Sequence, residues 1–131
     1  MVLNPSADSP LMKDEIFGPI LPLITFKNID EAITFVNNRP KPLATYYYGS
    51  NSRWNINLNK VEKQTSSGAF VVNDSCTQIL NNDLPFGGVG MSGYGRYHGL
   101  AGFNECSNLK SVFRKYSRNY FPFNLEQAPF T

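Results

Sequence analysis

The chain has 131 residues, 41% of them hydrophobic and 14% aromatic, enough for one modest core and at most one ordinary domain. Its 12 basic and 10 acidic residues leave a net charge of +2, far from the dense positive field that nucleic-acid binding demands, so no nucleic-acid partner is expected. Two cysteines, Cys76 and Cys106, are too few for a disulfide scaffold and no signal-peptide pattern opens the chain, which predicts a reduced, intracellular setting; no apolar run approaches the ~18 residues of a membrane span.

Taken in order, the first regular segment is Ile20 to Lys27, apolar and rich in β-formers, which predicts a strand. Asp30 stands where it can cap a following helix with Ile29, Ala32, Ile33 and Val36 at helical spacing. That helix should stop near Arg39, because the residue before Pro40 is disfavoured in the α region. Pro40-Lys41-Pro42 is then a connector to a strand over Leu43 to Tyr48. Asn51 or Ser52 is placed to cap the next helix, in which Trp54, Leu58 and Val61 share one face.

After the turn Thr65-Ser66-Ser67-Gly68, the run Ala69 to Asn73 has the form of a buried parallel strand. The order is βαβαβ, which predicts an α/β layer with a mainly parallel sheet. From Asn81 to Gly99 the glycines and polar residues exclude a regular element. Phe103, Cys106 and Leu109 then suggest a short helix, and Ser111 to Lys115 a last strand. Tyr116 to Thr131 is an aromatic, basic and irregular tail in which Pro122 and Pro129 prevent a long helix.

Three chemical constellations are tested by spacing. Gly88, Gly90 and Gly93 satisfy G-x-G-x-x-G, but the dinucleotide fingerprint needs a strand directly before it and a helix opening after it. Here Asn82-Asp83-Leu84-Pro85 precedes and Gly95 to Gly99 follows, so the fingerprint is rejected. A nucleophilic dyad of Cys76 and His98 is disfavoured; both cysteines are expected to act as small buried hydrophobes and His98 as a structural residue. One histidine and two scattered cysteines lack metal-ligand spacing.

Two motifs say more. Glu15 to Pro19 reads EIFGP and Leu84 to Gly99 reads LPFGGVGMSGYGRYHG, with an EAI-type helix, a PLA strand and SSGAFVVND between them in that order. Together they resemble the aldehyde dehydrogenase superfamily, and the Tyr97-His98-Gly99 ending is similar to its fatty-aldehyde or class 3 branch. The resemblance covers roughly Val2 to Lys115. It implies that residues 1–110 are the C-terminal part of a catalytic domain, that 111–115 form a strand returning to an oligomerisation sheet, and that 116–131 are an added tail.

The resemblance also implies roles. Glu15 would accept hydrogen bonds from the nicotinamide ribose hydroxyls, and Phe17 would pack beside the nicotinamide ring. A carboxylate is an acceptor-only group suited to a diol, and a rigid aromatic wall restricts where the hydride-accepting carbon sits. Phe86 would line the aldehyde pocket. The cofactor of the full-length family enzyme is NAD or NADP, with none expected to bind this chain alone.

In the family the nucleophilic cysteine, the base glutamate and the cofactor's phosphate site lie upstream of EIFGP, and none has a counterpart among these residues. Two expectations follow. One is the C-terminal segment of an NAD(P)-dependent aldehyde dehydrogenase, catalytically incomplete alone, whose partners are the missing N-terminal part and a second copy in a homodimer. The other is a non-catalytic structural or assembly subunit of a larger complex, derived from such a tail.

Overall fold

The computed structural model describes residues 1–114. The expected tail from Tyr116 lies outside them. The order is β1 (Val2–Leu3), β2 (Pro22–Leu23), α1 (Ile29–Asn37), β3 (Ala44–Tyr47), α2 (Ile56–Gln64), β4 (Ala69–Val72) and α3 (Gly99–Glu105). Single 3-10 turns lie at Pro10–Met12, Thr77–Leu80 and Gly90–Ser92.

The centre is the βαβ unit β3–α2–β4. Its strands run parallel, with Ala44 opposite Ala69 through to Tyr47 opposite Val72, and α2 is the crossover that parallel pairing requires. Asn55 caps α2, accepting from the N–H groups of Asn57 at 3.1 Å and Leu58 at 3.2 Å. Leu58 and Val61 face inward as their spacing predicts, and with Ile33 of α1 they are the buried apolar residues among those described. Trp54 does not join them. It precedes the helix and is 77% exposed, because the cap falls at Asn55 rather than at Asn51 or Ser52. Ser52 instead turns the chain before the helix, its Oγ accepting from Trp54 N–H at 3.2 Å.

The helix α1 packs on α2 and also begins earlier than expected. Asn28 is the cap, accepting from Glu31 N–H at 3.0 Å, while Glu31 reaches back to Lys27 N–H at 2.9 Å. Asp30, expected as the cap, lies in the first turn and pairs with Lys60 Nζ of α2 at 2.8 Å. At the other end Asn37 Nδ2 donates to Gln64 O at 2.8 Å, tying the last turn of α1 to that of α2.

The expected βαβαβ order and parallel pairing are present, but the strands divide between two parallel pairs rather than one sheet. The regular part of Ile20–Lys27 is two residues long and pairs with β1, Val2 opposite Pro22 and Leu3 opposite Leu23, in a separate parallel pair. Proline has no N–H to place in a central ladder. In this pair Val2 and Asn4 donate to Leu21 O at 2.8 Å and Leu23 O at 2.7 Å, so Pro22 needs no donor. Asn4 Oδ1 then extends the pairing by accepting from Thr25 N–H at 2.8 Å.

The C-terminal expectations need correction too. α3 ends at Glu105, with Cys106 as its cap and Leu109 beyond it. Residues 111–114 form no strand within the single chain, and Lys115 lies outside the described residues; the expected return strand would take its ladder from an oligomerisation sheet. Cys76 and Cys106 are exposed free thiols rather than buried hydrophobes. Cys76 sits in the left-handed region at φ 64 at the head of a surface turn, and Cys106 caps an exposed helix end. Neither place offers a core to fill.

Candidate functional site

The EIFGP loop runs between the first 3-10 turn and β2. Ile16 is half-buried and anchors it, while Glu15 and Phe17 on either side are exposed. Phe17 is 90% exposed and has φ 37. A bulky residue in the left-handed region carries a steric cost of about 1–2 kcal/mol. The loop thus presents a carboxylate and an aromatic face outward, two residues apart.

Phe86 stands at the mouth of a closed loop. Phe86 and Tyr97 form an isolated antiparallel bridge, exchanging N–H···O bonds of 2.9 and 2.7 Å, so residues 86–97 leave and return at one point. Within it Ser92 Oγ accepts from Val89 N–H at 2.9 Å and donates to Val89 O at 3.0 Å. Gly88 is buried, and a Cβ there would lie 2.0 Å from Ser92 O, so the two limbs touch through backbone. Arg96 closes the base: Nη1 donates to Gly95 O at 2.8 Å and to Gly88 O on the opposite limb.

The loop is seated on the βαβ unit. A Cβ at Gly68, just before β4, would meet Gly87 O at 2.1 Å and Leu43 O at 2.5 Å. Gly68 was expected as a turn residue; it also lets the Phe86 loop approach the start of the strand pair. The ring of Phe86, half-buried, stacks on His98 with centroids 5.6 Å apart, which accords with a structural role for His98. Leu43, Phe86, Tyr94, Arg96 and Glu105 are among the residues that border an open cavity of about 440 Å³.

The fingerprint reading of Gly88, Gly90 and Gly93 is rejected here as well. Gly90 to Ser92 is a 3-10 turn and the next helix opens only at Gly99. Cys76 and His98 are not brought together: the Cys76 Sγ neighbour is Tyr46 Oη at 3.8 Å, and His98 packs on Phe86 and Tyr97. Among the described residues no group of three His, Cys, Asp or Glu side chains is placed to hold a metal, and no helix is long and apolar enough to cross a membrane.

Two further residues, Asn73 and Arg96, organise the loops. Asn73, in the left-handed region at φ 57, accepts from Gly49 N–H and donates to Gly49 O, both at 2.8 Å, so its amide continues the β3–β4 ladder after the backbones diverge. Asparagine directly after an apolar strand is the signal that marks it. The signal for Arg96 is its standing as the one cation in a glycine-rich stretch. Beyond Asn73, the Asp74 carboxyl is held below its ordinary value, first by Thr77 Oγ1, which donates to it at 2.7 Å, and then by the Ser75 N–H.

Comparison with known proteins supports the motifs. The family model described as "Aldehyde dehydrogenase family" matches residues 1–112. Aldehyde dehydrogenase family 3 comG of Dictyostelium discoideum is 39% identical over 131 residues, which is 100% of this chain and 27% of that protein. Among solved structures, the substrate-bound state of Staphylococcus aureus AldH aligns with a TM-score of 0.76 at 40% identity, over 91% of this chain and 25% of its own. The indole-3-acetaldehyde dehydrogenase AldA of P. syringae, a mutant in complex with NAD+ and IAA, aligns with a TM-score of 0.74 at 29% identity, over 87% of this chain and 22% of its own. The chain spans about a quarter of the length of these relatives. On its ordered motifs, its α/β architecture and this likeness, the chain belongs to the aldehyde dehydrogenase family, with class 3 members among its relatives.

Proposed function

We propose that this chain is the C-terminal segment of an NAD(P)-dependent aldehyde dehydrogenase that oxidises a long-chain aliphatic or aromatic aldehyde to the carboxylic acid, and that it works only with the rest of such a polypeptide. The observation that supports this best is the presence of an outward-facing Glu15–Phe17 loop and a clamped Phe86 loop in a chain that aligns along its whole length with one family 3 relative. In this reading Glu15 accepts from the ribose hydroxyls and Phe17 borders the nicotinamide. The exposed carboxylate and the exposed ring fit that group, and the nicotinamide, when bound, supplies the hydride acceptor. Phe86 borders the aldehyde and excludes water from it.

Aldehyde oxidation in the family also needs a thiolate to add to the carbonyl, donors for the oxyanion and a base to activate water. The two exposed cysteines have neither a neighbouring histidine nor a base in bonding reach among the described residues, so the chemistry falls to the partner part. A second copy joined through the segment after α3 belongs to the same proposal. The free thiols suit a reducing intracellular setting.

The test is intact mass with peptide mapping of the protein from its natural source, followed by NAD(P)H formation with aldehydes of graded length. Peptides extending upstream to a nucleophilic cysteine, together with turnover, support the proposal. A protein limited to these residues, inert with every aldehyde and recovered in a stable complex, replaces it with the assembly-subunit reading.

A further inference from the structure

We propose that Arg96 is a positioning residue for the aldehyde pocket, holding Phe86 in place through the carbonyls of its loop; this rests on the reading of Phe86 as a pocket wall. The first observation is the placement of its donors. Nη1 bonds Gly95 O and Gly88 O, one on each limb of the 86–97 loop, immediately inside the Phe86–Tyr97 bridge. A carbonyl accepts but cannot donate, so two limbs presenting carbonyls to one another need a donor between them. A guanidinium carries five donors on a rigid plane and keeps its charge at any physiological pH, and its bonds to carbonyls are charge-assisted.

The second observation is how few side chains the limbs carry. Gly87, Gly88, Gly90, Gly93 and Gly95 leave the loop without apolar contacts of its own at five positions, and Gly87, Gly90, Gly93 and Gly95 take positive φ. Such backbone has a large conformational freedom to lose on ordering. The third observation is the seat. Gly87 O lies where a Cβ on Gly68 would stand, so the loop meets the strand pair over Gly87, next to Phe86. Arg96 holds the two limbs at the width that keeps this contact, and Phe86 follows the limb that carries it.

The residue thus acts through Phe86 and touches neither cofactor nor reacting atoms in this reading. Its loss should weaken recognition of the aldehyde while leaving the chemical step and cofactor binding alone. The test uses the native polypeptide containing this chain, with Arg96→Met, which keeps much of the stem, and Arg96→Lys, which keeps the charge on a single point. Amide exchange is read at Phe86 and Tyr97, with Leu58 and Val71 as references in the βαβ unit.

The expected result for Arg96→Met is exchange several times faster at Phe86 and Tyr97 with the reference amides unchanged. Aldehyde KM should rise severalfold, with kcat and the NAD(P) KM within about twofold of wild type; Arg96→Lys should lie between. Unchanged exchange at Phe86 and Tyr97 overturns the proposal, as does equal acceleration at all four amides, which is ordinary loss of stability. A fall in kcat at constant KM overturns it too. If the wild-type polypeptide oxidises no aldehyde, the pocket reading fails, and local exchange still decides whether Arg96 holds the loop.

Discussion

The imidazole of His98 stacks on the ring of Phe86, with centroids 5.6 Å apart and 28° between the planes, and lies 4.6 Å from the ring of Tyr97. His98 itself has φ 76, so the backbone bears a left-handed residue in order to place this ring. Aromatic pairs contribute about 0.5–1.5 kcal/mol beyond the area they bury. His98→Phe keeps a ring and the same backbone cost, whereas His98→Ala keeps only the cost. Chemical denaturation should find the alanine variant about 1 kcal/mol less stable than the phenylalanine variant. Equal stabilities would remove the stack from the account of how Phe86 is held.

The glycines of the 86–97 loop separate steric need from conformational need. Gly88 is buried with Ser92 O 2.0 Å from where a Cβ would stand, while Gly90 has φ 63 and open space around it. Gly88→Ala must push backbone apart and should cost about 3 kcal/mol; Gly90→Ala bears only the left-handed penalty of about 1 kcal/mol. A phosphate-cradling loop would instead lose cofactor binding at both positions. Urea midpoints and NAD(P) affinity, measured side by side, distinguish the two.

Leu58 is 7% exposed and, among the described residues, one of three buried apolar ones. Truncating a buried leucine costs about 2–5 kcal/mol, comparable to the net stability of a small domain. Leu58→Ala should therefore abolish protection of the β4 amides in hydrogen exchange. Retention of wild-type protection there would mean that the α1–α2 contact is not what holds the strand pair.

The ion pair between Lys60 and Asp30 joins the same two helices, but its side chains are 35% and 60% exposed. Lys60→Met should cost less than ~1 kcal/mol, and the difference should vanish in high salt. A larger, salt-insensitive loss would show the pair to be shielded from solvent.

Asp74 sets a pH dependence. Its folded-state pKa is lowered by Thr77 and by Ser75 N–H, so the ionised form is favoured on folding. The contribution is present in full above the ordinary carboxylate range and is lost as pH falls through the lowered value. Asp74→Asn should flatten the acid limb of the denaturation profile and leave neutral-pH ranking of the other variants untouched. An unchanged acid limb would assign that limb to other carboxylates.

The two motifs and the central βαβ unit were legible in the residues alone. EIFGP and LPFGGVGMSGYGRYHG are local strings, and the family they point to is the one that matches. β3, α2 and β4 were legible because an apolar run between turn signals and a three-to-four spacing are also local, each readable without knowing what lies across from it. What the residues did not disclose is which groups meet. Asn4 reaches Thr25, Asn73 reaches Gly49 and Asn37 reaches Gln64, partners separated by 21, 24 and 27 positions, and no periodicity encodes such a bond.

The same limit explains the misplaced caps, since Asn28 and Asn55 compete with Asp30, Asn51 and Ser52 of equal intrinsic fitness, and only packing of α1 against α2 selects where each helix begins. It explains the pairing of β2 with Val2–Leu3 rather than with β3, which depends on where Pro22 is spared from donating. It also explains the clasp of Arg96. A cation among glycines is visible in the string, but the carbonyls it joins face each other only after the chain has turned back on itself, because a hydrogen bond depends on distance in space and a motif records only order along the chain.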